Sequence, residues 1–184
     1  MLLIVLLLYI LVGLVILATA TSLVIFSINT FFVDAPFVPV RQRVLVKIIK
    51  ALKLKPGSVI YDLGCGDARV LEEAIKSTDS IKAIGIEKHL MVYLWTKWRT
   101  RHKKIKLHFG DIYNLPISDA THIYLYLYPE ILDNLLPKIK KECKPGTRIV
   151  SCDFTFKDLI PDEIIDLPIM EDRLCKKLNV YVLK

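Results

Sequence analysis

The chain has few cysteines and histidines, and their spacing excludes several kinds of site. Its four cysteines are Cys65, Cys143, Cys152 and Cys175, and no two of them form a C-x-x-C pair. Its four histidines show no spacing typical of metal ligands either. A zinc centre and a dithiol redox motif are therefore not predicted. We expect all four thiols to be free, in a reducing compartment.

Charged side chains are also absent from residues 1–33, where Leu, Ile, Val and Phe dominate. This run is longer than the roughly 20 apolar residues that cross a bilayer as a helix. A cleaved signal peptide is the alternative, because Ala18-Thr19-Ala20 resembles a cleavage site. The run begins without Lys or Arg, however, and hydrophobicity resumes at residues 23–26. We predict a retained transmembrane anchor at residues 1–33.

Positive charge is concentrated after this run. Lys and Arg recur from Arg41 to Lys55, and nothing positive precedes the run except the α-amine. The positive-inside rule then places the rest of the chain in the cytoplasm. The net charge of +7 fits lysines beside anionic lipid better than nucleic-acid binding. The sequence thus predicts a single-pass membrane protein that contacts the bilayer through residues 1–33 and has a cytoplasmic domain.

Residues 34–57 are predicted to form a linker and an amphipathic helix. Pro36 and Pro39 oppose continuation of a helix, whereas apolar residues recur at helical spacing from Val40 to Leu54. Residues 58–184 are numerous enough for one α/β domain. The organisation of this domain follows from the alternation of its predicted strands and helices.

Five predicted strands alternate with helices along this domain. The strands are expected at 59–63, 81–86, 105–109, 121–128 and 148–154, and the helices at 68–77, 89–101 and 129–143. Such alternation predicts a doubly wound, mostly parallel sheet of the Rossmann-like class. Two further strands, at 164–167 and 178–183, predict an antiparallel C-terminal hairpin at the edge of the sheet.

A glycine-rich turn, Asp62-Leu-Gly-Cys-Gly-Asp-Ala-Arg69, follows the first predicted strand. Gly64 and Gly66 permit a tight turn and a close approach of the backbone to a ligand. A dinucleotide site would have a third glycine where Arg69 stands, and Asp67 places negative charge where a pyrophosphate would lie. The motif suits a ligand with an ammonium and a sulfonium and no phosphate. We predict S-adenosylmethionine, with another nucleotide or a purely structural turn as alternatives.

Acidic residues stand at the ends of the first three predicted strands. Asp62 is predicted to hold the methionine ammonium, directly or through water, and Glu87 to accept hydrogen bonds from the ribose hydroxyls. Asp111 is predicted to accept from the adenine amino group. One such acid alone is explained as a cap or turn residue, but three at successive strand ends indicate a binding site. The predicted cofactor-binding residues are Asp62, Gly64, Gly66, Glu87, Asp111 and Ile112, the last packing on the adenine ring.

The acceptor side of the site is predicted at the end of the fourth strand, where Tyr128-Pro129-Glu130 lies. A tyrosine there could line an acceptor channel and stabilise an amine that becomes cationic. Tyr128 and Glu130 are the candidate catalytic residues, and Asp153 is a second candidate proton acceptor. The Asn/Asp-Pro-Pro-Tyr motif that positions planar amide or base nitrogens is absent, which disfavours an adenine-N6 or glutamine methyltransferase.

The helix predicted at 89–101 carries aromatic and basic residues together. Trp95 and Trp98 recur at helical spacing with apolar neighbours, and we expect them to face the core or the sheet. The basic run from Lys97 to Lys106 is expected to be a solvated or lipid-facing surface rather than an RNA-binding one.

The sequence resembles the membrane-anchored class I protein-lysine methyltransferases that modify the adenine nucleotide translocase and the ATP synthase c-subunit. The resemblance rests on the apolar start and on residues 35–39, 62–69, 85–87, Asp111, Pro129, Phe154 and Phe156. The chain differs at Ala68, where Asp-Gly-Arg is usual, and at 128–130. The resemblance implies that the acceptor is a lysine on a membrane-associated protein. An alternative acceptor is a lipophilic small molecule such as a quinone or lipid. An alternative function is that of a non-catalytic S-adenosylmethionine-binding module.

Overall fold

The chain divides into two units, residues 1–36 and residues 37–184. The computed structural model describes residues 2–31, 40–167 and 175–184 of this sequence. The connector predicted at 34–39 lies outside the described residues. Within the described part, the first unit consists of one helix and the second carries the β-sheet.

The first unit contains helix α1, Leu2–Phe31. Within it, Leu2–Phe26 is a stretch of 25 residues that is long and apolar enough to cross a bilayer. A signal sequence near an N-terminus would have the same length and composition. The helix agrees with the predicted span, and its retention in a membrane stays a prediction.

The second unit is an α/β domain whose described strands and helices alternate as predicted. In chain order the elements are α2 Gln42–Leu52, β1 Val59–Leu63, α3 Arg69–Ser77, β2 Lys82–Glu87, α4 Leu90–Arg99, β3 Ile105–Phe109, β4 His122–Leu125, α5 Pro129–Glu142, β5 Arg148–Cys152, β6 Glu163–Asp166 and β7 Lys177–Val182.

The described strands form one sheet in the order β3-β2-β1-β4-β5-β7-β6. The first five in this order pair in parallel, and β7 runs antiparallel to both β5 and β6. The predicted mostly parallel sheet with an antiparallel C-terminal hairpin is confirmed. Because the chain proceeds from β1 toward β3 on one side and from β4 onward on the other, the strand order reverses between β1 and β4. Ligands of open α/β sheets bind at such a point.

Burial explains why the central strands lie where they do. All five residues of β1 are buried, as expected for a parallel strand with helices on both faces of its sheet. One core cluster joins α2 and α3 to the sheet through residues such as Ile48, Leu52 and Leu71. A second cluster joins α5 to the sheet through residues such as Leu132 and Leu135. The helices therefore hold the ends of β1 and β4 in fixed positions.

Strands β4 and β5 are shorter than predicted. The expected strands reached 128 and 154, but the β4–β5 ladder ends at the pair Leu125 and Ser151. Tyr128 has extended backbone and precedes Pro129, whose fixed φ suits the first position of a helix. The aromatic residues beyond the ladder thus lie in the loops at the carboxyl edge of the sheet, where they can face a ligand.

Helix α4 overturns one expectation. Trp95 and Trp98 were expected to face the core or the sheet, but their relative exposures are 47% and 64%. Only Thr96 of this helix is buried, and its hydroxyl donates to the Gly66 carbonyl oxygen at 2.7 Å. Helical periodicity predicts a stripe of apolar residues but not which way the stripe faces. Here the polar Thr96 takes the inward side.

Candidate active site

The carboxyl ends of β1, β2 and β4 meet at one edge of the sheet, and the glycine turn leaves this edge directly after β1. In the ladder, Asp62 pairs with Gly85 of β2 on one side and with Tyr124 of β4 on the other. The acid at the end of the first strand therefore lies at the point where the strand order reverses. Sequence and topology agree on the location of the site.

The glycine turn adopts a backbone that needs glycine. Gly64 and Gly66 have φ values of 83° and 51°, a left-handed region that side chains disfavour. A Cβ on Gly64 would lie 3.0 Å from the Leu127 side chain, so this residue is close to the segment after β4. The Gly64 amide also donates to the Ile86 carbonyl of β2 at 2.9 Å. The loop is thereby held against both β2 and the segment after β4.

Gly85 is a third required glycine, which sequence reasoning did not single out. A Cβ there would lie 2.7 Å from the Cys65 sulfur and 2.8 Å from the Leu107 side chain. Because Gly85 has no Cβ, the glycine turn can pack closely on β2. The signal in the sequence was a glycine inside a predicted strand, which indicates a close approach of another backbone or side chain.

Asp62 is a buried carboxyl group with a relative exposure of 3%. Burial raises its pKa well above the ordinary value, and the negative charges of Glu87 and Asp67 raise the pKa further. Within the part of the chain that the structure describes, no hydrogen bond or ion pair engages this carboxylate. The hydroxyl of the adjacent Tyr124 is also buried without a partner. Such a pair fits a cationic ligand group, because an uncompensated buried charge is costly.

Glu87 is oriented by the backbone on both sides of it. Its carboxylate accepts from the Gly66 amide at 2.9 Å and from the His89 amide at 2.8 Å. A carboxylate has about four lone-pair positions, so two stay open for further donors. Glu87 therefore braces the glycine turn and can still accept hydrogen bonds from a diol.

Asp111 and Ile112 lie after β3, as predicted. The Asp111 carboxylate accepts from the Tyr113 amide at 3.0 Å and lies 3.6 Å from the Lys88 ammonium. Ile112 has a relative exposure of 8% and packs in the core cluster of α5. The structure brings this pair to the same sheet edge as Glu87, since β2 and β3 are paired up to Glu87 and Phe109.

Asp67 has a different role from the one expected. Its carboxylate accepts from the Arg69 guanidinium at 2.9 Å, and this arginine also donates to the Val40 carbonyl at 2.6 Å. The negative charge that was expected to repel a phosphate is therefore neutralised by Arg69. Asp62 and Glu87 are the acids that disfavour an anionic ligand at this turn.

The loops after β4 and β5 bring three aromatic rings together on the acceptor side. The Tyr128 ring lies 5.7 Å from the Phe154 ring, and the Tyr126 ring lies 6.4 Å from it. Tyr128 is 44% exposed, so one face of the cluster is open. Glu130, in the first turn of α5, is exposed, and no hydrogen bond or ion pair to it is present among the described residues.

Asp153 is a structural anchor and does not suit the role of proton acceptor. Its two oxygens accept from the amides of Cys175, Lys176 and Lys177, at 2.8, 2.5 and 3.2 Å, and from the Tyr126 hydroxyl at 3.3 Å. These four donors fill the lone pairs of a carboxylate. Burial, followed by the charge of Asp153, raises the pKa of Tyr126 to about 12, which keeps its hydroxyl protonated.

The expectation that all four cysteines are free is wrong for two of them. Cys152 and Cys175 form a disulfide with a Cα–Cα distance of 6.0 Å, whereas Cys65 and Cys143 are buried free thiols. The antiparallel pairing of β5 with β7 brings together residues that are 23 positions apart. No local spacing pattern in the sequence indicates such a contact.

Taken with the sheet order, the geometry at the strand ends defines the class: the domain is a class I methyltransferase whose methyl donor is S-adenosylmethionine. The family follows from the sequence comparison. Residues 62–163 match the ANTKMT methyltransferase domain, and the chain belongs to this family of S-adenosylmethionine-dependent protein-lysine methyltransferases. The resemblance to protein-lysine methyltransferases noted from the motifs is thus confirmed.

Relatives are found among archaeal and animal proteins. The protein-lysine N-methyltransferase of Saccharolobus islandicus is 32% identical over 136 residues, which cover 71% of this chain and 83% of that enzyme. The human lysine N-methyltransferase of the ATP synthase c-subunit is 25% identical over 78% of this chain. The match spans 65% of the human protein's length.

Among solved structures, an RNA methyltransferase from Salinibacter ruber bound to S-adenosyl-L-homocysteine is similar to this chain. The two superpose with a TM-score of 0.72 at 25% identity, over 79% of this chain and 94% of that chain. The likeness confirms the expected class of fold and its cofactor.

Proposed function

We propose that this chain is a membrane-anchored enzyme that transfers methyl groups from S-adenosylmethionine to lysine side chains of a membrane-associated protein. The observation that carries the proposal is the family match, which covers residues 62–163 and so includes both sides of the site. The bilayer attachment is supported by α1, which is long and apolar enough to span.

On the cofactor side, each of three acids binds a different part of S-adenosylmethionine. Asp62 receives the ammonium, because its buried carboxylate lacks a cationic partner among the described residues. Glu87 accepts from the ribose hydroxyls with the lone pairs left open by its two backbone donors. Asp111 and Ile112 hold the adenine ring. Gly64 and Gly66 leave room for the amino-acid end of the ligand.

On the acceptor side, the cluster of Tyr126, Tyr128 and Phe154 receives the lysine. S-adenosylmethionine supplies an electrophilic methyl group on a sulfonium leaving group. The nitrogen gains positive charge as it is methylated, and the faces of the open rings of Tyr128 and Phe154 stabilise that charge. Positioning of the amine is the main demand of such a reaction. Glu130, exposed at the start of α5, is the candidate that receives the amine's proton.

A membrane-associated substrate is favoured by what the relatives are called. The human relative is named for its action on the c-subunit of ATP synthase. A span in α1 would confine the catalytic domain to the membrane surface and so raise the local concentration of membrane proteins. The positive residues after the span support a cytoplasmic location for the domain.

Radiolabelled S-adenosylmethionine, incubated with purified membranes and the full-length chain, tests the proposal. We expect label in protein bands and methylated lysine after acid hydrolysis. The Glu87→Ala variant should transfer little label. The control is Glu73→Ala, which removes a partly buried acid of α3 that pairs with Lys76 outside the site, and it should transfer as much as the wild type.

If the labelled methyl group is found in another fraction, that fraction identifies a different acceptor. Label in the organic extract would indicate a quinone or lipid acceptor, and label in an RNase-sensitive fraction would indicate RNA, the substrate named for the Salinibacter ruber enzyme. Tight binding of S-adenosylhomocysteine with no transfer to any membrane component would indicate a binding module. Each of these outcomes would contradict lysine methylation.

A further inference from the structure

Helix α4 presents an apolar face to solvent. Five of its residues are exposed and fall within about 140° of the helix circumference at 100° per residue. They are Leu90 at 49%, Met91 at 64%, Leu94 at 49%, Trp95 at 47% and Trp98 at 64% relative exposure. Phe109, on the adjacent edge strand β3, is 50% exposed. Contiguous exposed apolar surface of this kind marks an interaction site.

Basic side chains surround this face, and this stretch of the sequence contains no acid. From Lys88 to Gly110 the sequence has seven Lys or Arg residues and no Asp or Glu. Arg99 and Lys103 are paired with Glu72 at 2.6 and 2.5 Å. At the end of α4 and in the loop after it, Lys97, Arg101 and Lys104 are also exposed. Lys106 alternates with Ile105 and Leu107 along β3 and so lies on the other face of the sheet.

Aromatic and cationic groups interleave within the face. The Arg101 guanidinium lies 5.0 Å from the centre of the Trp98 ring, and that of Arg99 lies 5.4 Å from the centre of the Trp95 ring. An indole ring with an adjacent guanidinium is suited to a boundary that is apolar on one side and charged on the other.

We propose that this face of α4 docks on the surface of an anionic lipid bilayer, with Leu94, Trp95 and Trp98 at the headgroup boundary. The inference rests on the membrane location proposed above. Tryptophan is enriched at membrane interfaces, and basic residues beside an apolar helix face are attracted to anionic lipid. A single-stranded RNA site would use the aromatic faces and the cations but would have no use for the aliphatic side chains.

Docking at α4 would also set the position of the active site. The helix begins three residues after Glu87, and Thr96 donates to the backbone of the glycine turn. The cofactor side of the site would therefore be held at a fixed height above the bilayer. This arrangement would select lysines that lie close to the membrane surface.

The chain contains two tryptophans, both in α4, so fluorescence excited selectively at tryptophan reports on this helix and not on the eight tyrosines. The full-length chain would be placed in nanodiscs of phosphatidylcholine, with or without phosphatidylglycerol, that carry lipids brominated near the headgroup. We expect stronger quenching in the anionic discs and relief of quenching at high salt. Co-migration with the disc, measured separately, reports on the span.

A triple variant, Lys97→Gln with Arg101→Gln and Lys104→Gln, tests the role of charge. We expect the ratio of docked to undocked domain to fall about fivefold for each cation removed. The matched control removes Lys140, Lys141 and Lys144, three cations at the end of α5 and just after it, and should leave quenching unchanged. Thermal unfolding of both variants confirms that they are folded.

The results that would overturn the proposal differ from those that would overturn the anchor. Co-migration with the disc without quenching would retain the span and exclude α4 docking. Equal quenching in neutral and anionic discs, or no effect of the triple variant, would exclude recognition of anionic lipid. A blue-shifted, unquenched fluorescence that depends on protein concentration would assign the face to a second copy, and a change caused only by added RNA would assign it to nucleic acid.

Discussion

The two halves of the candidate site are held in place in different ways. In the cofactor half, at the ends of β1 to β3, Glu87 accepts hydrogen bonds from backbone amides of the glycine turn and of the loop that follows β2. In the acceptor half, at the ends of β4 and β5, Asp153 accepts from the amides of residues 175–177, on the far side of the C-terminal hairpin.

Because of this difference, the shape of the acceptor half can change more easily than that of the cofactor half. A turn built from glycines and a bracing carboxylate can be encoded in about 25 consecutive residues. The acceptor half depends on contacts between distant segments, so its shape can change when the C-terminal hairpin changes. In the proposed site, recognition of a common cofactor and recognition of a particular acceptor therefore depend on different parts of the fold.

The largest effect is expected from Glu87→Ala. The change removes the acceptor for two backbone amides and, by our proposal, for the ribose. Hydrogen bonds to a charged group contribute about 1.5–3 kcal/mol each, so affinity for S-adenosylhomocysteine should fall at least about 100-fold. Isothermal titration calorimetry measures this, with Glu73→Ala as the control. An affinity within threefold of wild type, about 0.7 kcal/mol, would contradict the proposed cofactor half.

Asp153→Ala tests whether long-range contacts hold the acceptor half. Removal of the acceptor of three backbone amides should lower the free energy of unfolding by about 2–4 kcal/mol. Asp162→Ala is the matched control, because Asp162 accepts a single amide, that of Val182 at 2.8 Å. Chemical denaturation of the detergent-solubilised chain gives both values. If the control were as destabilising, Asp153 would not be the anchor described above.

The raised pKa of Asp62 predicts that cofactor binding depends on pH. Below this pKa the carboxyl is neutral, and an ammonium favours the ionised form, so affinity for S-adenosylhomocysteine should rise with pH. The slope is at most about tenfold per unit, for one proton released, and vanishes above the raised pKa. Asp62→Asn should bind more weakly and with a flat pH profile. A flat profile in the wild type would contradict the assigned role of Asp62.

The same shift has a consequence for the ligand-free protein. A carboxyl whose pKa is raised on folding contributes stability below its ordinary value of 3.8, and this contribution is lost as pH rises through the folded pKa. At neutral pH, Asp62→Asn should therefore make the ligand-free chain more stable while it weakens cofactor binding. A thermal-shift measurement with and without ligand shows both changes together.

Two substitutions of Tyr128 show whether its ring face or its hydroxyl acts in the acceptor half. Tyr128→Ala should lower kcat/KM for the acceptor about tenfold, the size of a partly desolvated cation–π contact, and leave cofactor affinity unchanged. Tyr128→Phe should retain most activity, because the ring face remains. Steady-state kinetics on the labelled membrane protein measures this. If the phenylalanine variant were as impaired as the alanine variant, the hydroxyl would be the active group.

The smallest effect is expected at Ala68, which lies in the left-handed region at φ 59° and is fully buried. Ala68→Gly relieves about 1–2 kcal/mol of backbone strain. It also loses about 0.8 kcal/mol of methyl burial and frees the unfolded chain by about 0.4–1 kcal/mol. We expect a net change in unfolding free energy below about 1 kcal/mol, measured by denaturant titration. A larger change would show that the glycine turn is less rigid, or more strained, than its hydrogen bonds indicate.

The positions of the proposed cofactor-half residues could be predicted because these residues follow strand ends at regular intervals. Asp62, Glu87 and Asp111 were placed by the positions of three successive strands, and the parallel sheet brings those ends together. The orientation of α4 was not predictable in this way. Trp95 and Trp98 share a stripe, but nothing in the sequence indicates that Thr96 takes the inward position.

The Cys152–Cys175 contact and the four donors to Asp153 were equally hidden from the sequence. The disulfide and the three backbone donors join the end of β5 to residues 175–177, and Tyr126 donates from the loop after β4. The contacts with residues 175–177 exist only because β7 runs antiparallel between β5 and β6. Local patterns describe residues within one element and its turn, whereas these contacts depend on how separate elements are arranged.

By itself, the sequence determined the apolar first helix, the alternation of strands and helices, and the glycine turn with its acids, because each of these is a property of consecutive residues. Only the tertiary structure decided that Asp153 is an anchor, that the tryptophans face outward and that three aromatic rings meet. Those features arise where segments distant in the chain pack against one another, and packing is fixed by the whole fold rather than by any one stretch of residues.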